Sequence, residues 1–176
     1  MGLRSTVLAL ALAAMGAEPA WAIAGCDAFT TALKTGASDM GVEFSRAIVV
    51  SRSRSDASVY DVTTKVDVDA TLSCRGDEFV RFEARLGEPA SARAATNFDR
   101  FQAVALHAAL GWDAGRSRGV LKGMSADARA FRDASRERGD VYVAGKTEEH
   151  VPGNVSLGMM ATGSDRIFVI VGPAGE

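Results

Sequence analysis

The sequence predicts an α+β domain: an antiparallel sheet with helices packed on it, in the order α-βββ-α(α)-βββ. Two observations lead to that class. The run from Tyr60 to Cys74 alternates apolar and polar residues without a break, the period of a strand with one buried face. Ala94, Phe98, Phe101, Ala105, Ala108 and Trp112 share one narrow stripe at the helical period, as in a helix laid on a core. The links between extended segments are too short for a parallel crossover, so the strands are expected to be antiparallel. The order also fits an αβββ unit used twice, although no residue-level repeat accompanies it.

The first segment is an export signal. Arg4 gives a basic start, residues 7–15 an apolar core too short to span a bilayer, and Ala20-Trp21-Ala22 a small-residue cleavage site. Residues 1–22 therefore read as a signal peptide and residues 23–176 as a single α+β domain. Ile23-Ala24-Gly25-Cys26 also fits a bacterial lipobox, the alternative in which a lipid on Cys26 anchors the protein to a membrane. Glu18 and Pro19 interrupt the apolar run and favour ordinary cleavage. The expected compartment is periplasmic or secreted, in keeping with an Ala-, Arg- and Gly-rich bacterial composition.

Cys26 and Cys74 are the only cysteines, and in an oxidising compartment an even count favours one disulfide bond. Closing so long a loop would stabilise the fold by about 4 kcal/mol. The bridge and the lipid exclude one another, because both need the sulfur of Cys26.

From Cys26 the spacing predicts a short helix, capped by Asp27, with Phe29, Ala32 and Leu33 on one face and Gly36 as its stop. Residues 42–50 read as a strand, followed by a polar turn, the alternating strand, the turn Arg75-Gly76-Asp77 and a third strand with Val80, Phe82, Ala84 and Leu86 facing the core. Pro89 and Ser91 announce the main helix and Gly111 ends it. Residues 113–123, with Gly115, Gly119 and Gly123, read as a loop or broken helix. Ser125 then caps a peripheral helix that Gly139 stops, whose single large apolar residue is Phe131. Residues 141–143 open a strand, Val151-Pro152-Gly153-Asn154 turns, and Val155, Leu157, Met159 and Ala161 alternate along the next. Residues 167–171 are apolar on both faces and predict a central strand.

Composition excludes some functions. A net charge of −2 and a pI near 5.7 give no basic excess for nucleic acid. No nucleophile elbow, zinc-protease motif or nucleotide-binding glycine pattern occurs, so no cofactor and no metal are expected. His107 falls opposite Phe98 on the main helix, a surface position. His150 follows Glu148 and Glu149 near the Pro152 turn; neighbouring residues of an extended segment point to alternating sides and do not converge by themselves. Arg75-Gly76-Asp77 matches the tripeptide integrins bind, but Gly76 is what a tight turn demands.

Arg129, Arg132 and Arg136 share one helix face, and arginine forks suit carboxylate or phosphate. They are the candidate ligand-binding residues. Two functions remain. One is an exported non-catalytic envelope or secreted module that binds a protein, a peptide or an anionic envelope component through its sheet or its arginine helix. The alternative is a small exported hydrolase with a site near His150.

Overall fold

The computed structural model describes residues 25–39, 49–52, 58–63, 68–139 and 145–175. The expected signal peptide, residues 42–48 of the first expected strand and residues 141–143 lie outside them. Helix α1 (Cys26–Asp39) is followed by strands β1 (Val49–Arg52), β2 (Val59–Thr63), β3 (Asp69–Arg75) and β4 (Glu78–Gly87), then helices α2 (Ala92–Leu110) and α3 (Ala114–Glu137). Strands β5 (Gly145–Val151), β6 (Val155–Ala161) and β7 (Asp165–Val171) and a 3-10 turn (Pro173–Gly175) complete the chain. The seven strands form one open antiparallel sheet in the order β1-β2-β3-β4-β7-β6-β5. Each meander runs inward from an edge, so the last strands of the two halves, β4 and β7, pair at the centre.

The α+β class and the antiparallel meanders are as the sequence predicts, and the element order is α-ββββ-αα-βββ. The additional strand comes from the alternating run, which is two strands rather than one. β2 and β3 pair with Val62 opposite Ala70, both facing the core. These positions are an even number of residues apart, so the alternation stays in phase between the strands and conceals the reversal of direction. Length was the available signal, since strands rarely exceed about 10 residues.

The glycines of α3 do not break it. Asp113 caps the helix by accepting a hydrogen bond from the Arg116 amide at 2.8 Å, and the helix runs unbroken to Glu137. Each helical glycine costs about 1 kcal/mol relative to alanine. Burial of Leu121, Met124 and Ala128 against β5 and β6 offsets that cost. Gly139, in the left-handed region at φ 77°, stops it. The stripe that packs is Ser117, Leu121, Met124, Ala128 and Ser135, which leaves Phe131 on the flank and 55% exposed. β5 approaches α3 so closely that a side chain on Gly145 would collide with the carbonyl of Ala128.

All three helices cover one face of the sheet, and the core lies between. Phe29 of α1 meets Phe79 and Phe82 of β4 at 4.9 and 5.3 Å between ring centres, and Phe82 meets Phe101 of α2 at 5.8 Å. Cys26 is bonded to Cys74, with Cα atoms 6.3 Å apart, which ties the first turn of α1 to β3. A bonded Cys26 has no thiol for a lipid, and a disulfide is the mark of an oxidising, extracytoplasmic compartment.

The Arg75-Gly76-Asp77 turn has a structural task. The Asp77 carbonyl accepts a hydrogen bond from the Cys26 amide at 2.7 Å, and its carboxylate accepts one from the Asp27 amide at 3.0 Å. The cap of α1 therefore comes from this turn and not from Asp27. Nor does Gly36 stop α1: it lies within the helix, where the His107 ring packs so near that an added Cβ would sit 2.9 Å from it. His107 is half-buried between α1 and α2 rather than on the surface, with Nδ1 2.9 Å from the Trp112 carbonyl. Among the described residues, no helix is long and apolar enough to cross a membrane.

Candidate functional site

The second face of the sheet carries two kinds of surface. Over β2 and β3 it is polar, with Asp61, Thr63, Asp69 and Thr71 exposed, as alternation with one wet face requires. Over β7 and β6 it is apolar. The inward residues of these strands are Phe168, Ile170, Val155, Leu157, Met159 and Ala161, so Ile167, Val169, Val171, Gly158 and Met160 point the other way. Among the described residues no helix lies over them.

The ladder registers arrange this surface in three rows running across the sheet from β4 to β5. Arg85, Ile167, Met160 and Lys146 form the first, Glu83, Val169, Gly158 and Glu148 the second, and Arg81, Val171, Ser156 and His150 the third. An apolar trough two strands wide thus lies between two charged banks. Each bank is braced along its own strand: Arg81 pairs with Glu83 at 2.6 Å and Lys146 with Glu148 at 3.3 Å. Arg85 grips Asp165 with two parallel hydrogen bonds, 2.8 and 2.7 Å. That grip, with a hydrogen bond donated by the Ser164 hydroxyl, holds the Asp165 carboxyl below the usual carboxylate range and raises the Arg85 guanidinium. The 3-10 turn closes one end, where Gly175 sits against Val171.

At the middle of the trough is a depression of about 280 Å³ lined by Arg81, Lys146, Glu148, Gly158, Met160 and Val169. Gly158 is its floor. Packing does not require glycine there: an added Cβ would meet only the Cβ of Val169, at an ordinary 3.6 Å. The missing side chain leaves a space that the fold itself leaves unfilled.

His150 joins this face at the third row, where its Nδ1 lies 2.8 Å from the Ser156 hydroxyl. A serine bonded to an imidazole is the beginning of a nucleophile and base pair. Here Ser156 is only 7% exposed and Glu148 is engaged by Lys146. Among the described residues no carboxylate is hydrogen-bonded to the other ring nitrogen of His150, and no group of three acidic, histidine or cysteine side chains is arranged to hold a metal ion.

The three arginines do lie on one flank of α3, but each meets different surroundings. Arg129 donates to the Ser125 carbonyl at 3.0 Å and faces the Asp99 carboxyl, which burial raises and which Arg166 and Arg129 in turn lower. Arg132 is half-buried and pairs with Asp133 at 3.1 Å, while Arg136 reaches toward Gly163. Cys26 and Cys74 are buried on the helix-covered face, opposite the trough. Sequence reasoning missed Ser156, Gly158 and Met160. Their signal was present, because the inward alternation of β6 assigns them to the other face, beside a β7 already legible as apolar on both sides. No family model, curated protein or solved structure matches the chain.

Proposed function

We propose that this chain is an exported, non-catalytic binding module of the periplasm or cell exterior, and that its partner is a protein or peptide seated on the open face of the sheet. The observation that supports this reading is β7, a central strand apolar on both faces with a helix layer over only one. An antiparallel strand with one wet face alternates apolar and polar residues, and β7 departs from that alternation. The size of the depression points to a polypeptide partner. Its volume of about 280 Å³ is at the small end of ligand pockets and suits one large side chain. An apolar centre with a charged rim is the arrangement in which a single buried anchor supplies most of the affinity. An anionic envelope component held by Arg129, Arg132 and Arg136 draws less support, because Arg129 and Arg132 already have partners of their own.

Selection of a random-peptide display library on oxidised residues 23–176 tests the reading. Enrichment of peptides with an aromatic or long aliphatic anchor, whose binding is lost in Val169→Asp and kept in Arg129→Glu, supports it. Enriched peptides indifferent to Val169 overturn it. The Ser156 and His150 contact favours a second reading, a small exported hydrolase, in which His150 takes the Ser156 proton as the hydroxyl attacks an ester. Ester hydrolysis by the wild type that disappears in His150→Ala would establish that reading in place of the first.

A further inference from the structure

We infer that the occupant of the trough is an amphipathic α-helix of a partner protein, lying along β6 and β7; this inference rests on the binding-module reading. The width decides between a helix and a strand. The banks on β4 and β5 are three strand spacings apart, about 14 Å, and a helix with its side chains is about 10–12 Å across. A single extended peptide, about 5 Å wide in the plane of a sheet, would leave most of the apolar floor uncovered. From Ile167 to Val171 the floor runs about 13 Å, so two to three helical turns cover it before the 3-10 turn at Val171 blocks the way. Apolar residues at i, i+3, i+4 and i+7 would meet the floor, with the central one entering the depression over Gly158.

The charges agree with this and exclude other occupants. Along each bank the sign alternates: Arg85, Glu83, Arg81 on β4 and Lys146, Glu148 on β5, where His150 is the next residue on the same face. Successive charges are two strand residues apart, about 6.6 Å, while helix residues i and i+4 are about 6.0 Å apart. A helix with acid, base, acid at four-residue intervals along the β4 flank and acid, base along the β5 flank therefore meets Arg85, Glu83, Arg81, Lys146 and Glu148 with their opposites. Exposed pairs of this kind add little affinity but set register and reject wrong partners. A surface of one sign, such as a lipid bilayer, would meet repulsion at either the outer rows or the central one. A second copy of this chain centred on the trough fits no better. A two-fold axis along the strands lays each row on itself, and one across them sets Arg85 on Arg81 and lays Glu83 and Glu148 on their own copies.

The test uses the oxidised domain and three synthetic peptides of eighteen residues. The first is an amphipathic helix with leucine on one face and Glu, Lys, Glu on each flank at four-residue intervals. The second exchanges Glu and Lys, and the third alternates leucine with polar residues around a central proline. The first should bind, gain helical circular dichroism on binding, and shift the amide resonances of Gly158 and Val169. Binding of the second should be at least tenfold weaker, and Gly158→Val should weaken the first at least tenfold. Equal binding of the first and second peptides overturns the inference. Binding of the third alone, dependent on Val169, overturns it while leaving the binding-module reading intact. Self-association through the same face, seen by sedimentation, also overturns it, and binding of no peptide by this face or by the display library removes both readings.

Discussion

Replacing Gly158 by valine places a β-branched side chain on the floor of the trough, and its effects on folding and on binding should have opposite signs. Glycine inside a strand costs about 0.5–1 kcal/mol relative to alanine, because the unfolded chain loses more freedom. Valine adds part of the about 1 kcal/mol that separates good from poor strand residues. No clash at the new Cβ opposes this gain, since it meets only Val169, at 3.6 Å, and the two further methyl groups enter the open depression. The substitution should therefore stabilise the domain by about 1 kcal/mol, a rise of about 2–4 °C in Tm for a chain of this size. The same side chain occupies part of a depression of about 280 Å³ and should displace the partner's anchor. A tenfold loss of affinity corresponds to about 1.4 kcal/mol. Thermal denaturation of the oxidised protein and titration with a bound peptide read the two effects separately. A fall in Tm would show that Gly158 serves the fold, and an unchanged affinity would show that the depression is not where the partner anchors.

Cys26→Ser combined with Cys74→Ser should lower stability by about 4 kcal/mol in urea denaturation, because the bridge closes a separation of 48 residues. Gly145→Ala should cost about 1–3 kcal/mol or more, since the methyl group would collide with the Ala128 carbonyl and approach the Arg132 amide nitrogen at 2.8 Å. The lowered Asp165 carboxyl contributes stability that is present above its unfolded value of about 3.9 and lost as pH falls through the folded one. Asp165→Asn should accordingly flatten the acid limb of a Tm-against-pH curve below about pH 4 and lower Tm at neutral pH. Arg129→Glu with Arg136→Glu should change Tm little, both side chains being exposed, and should leave peptide binding at the trough unaltered.

What could be read from the sequence, and what could not, follows from what each pattern encodes. Strand periodicity reports which side of a sheet a residue faces, and it did so correctly for β3, for β6 and for β4 from Phe82 on; at the start of β4 the register shifts, and Phe79 rather than Val80 faces the core. It does not report where a chain turns back when the turn preserves phase, so β2 and β3 read as one strand. Helical propensity is a weaker signal than burial. Gly115, Gly119 and Gly123 suggested a break, yet the sheet beneath Leu121 and Met124 makes one long helix of α3. The packing of that helix was lost for a related reason: with Phe131 as its single large apolar residue it read as peripheral, whereas the small residues Ser117, Ala128 and Ser135 face the sheet and let it approach.

The candidate site was half legible. The two-sided apolar run at residues 167–171 was visible and correctly placed β7 at the centre, but a single strand does not define a surface. The trough exists because β4, β7, β6 and β5 are neighbours in space, and that order depends on the central pairing of β4 with β7, residues about eighty positions apart in the chain. Ser156 meets His150 within the local β5–β6 hairpin, whereas Arg85 faces Lys146 and Glu83 faces Glu148 across the trough only through that central pairing. Charge runs along a sequence, such as the arginines of α3, draw attention because they are local. A surface assembled from every second residue of four strands leaves no local run, and its charges are paired with neighbours two residues away on the same strand, which reads in the sequence as ordinary polar alternation.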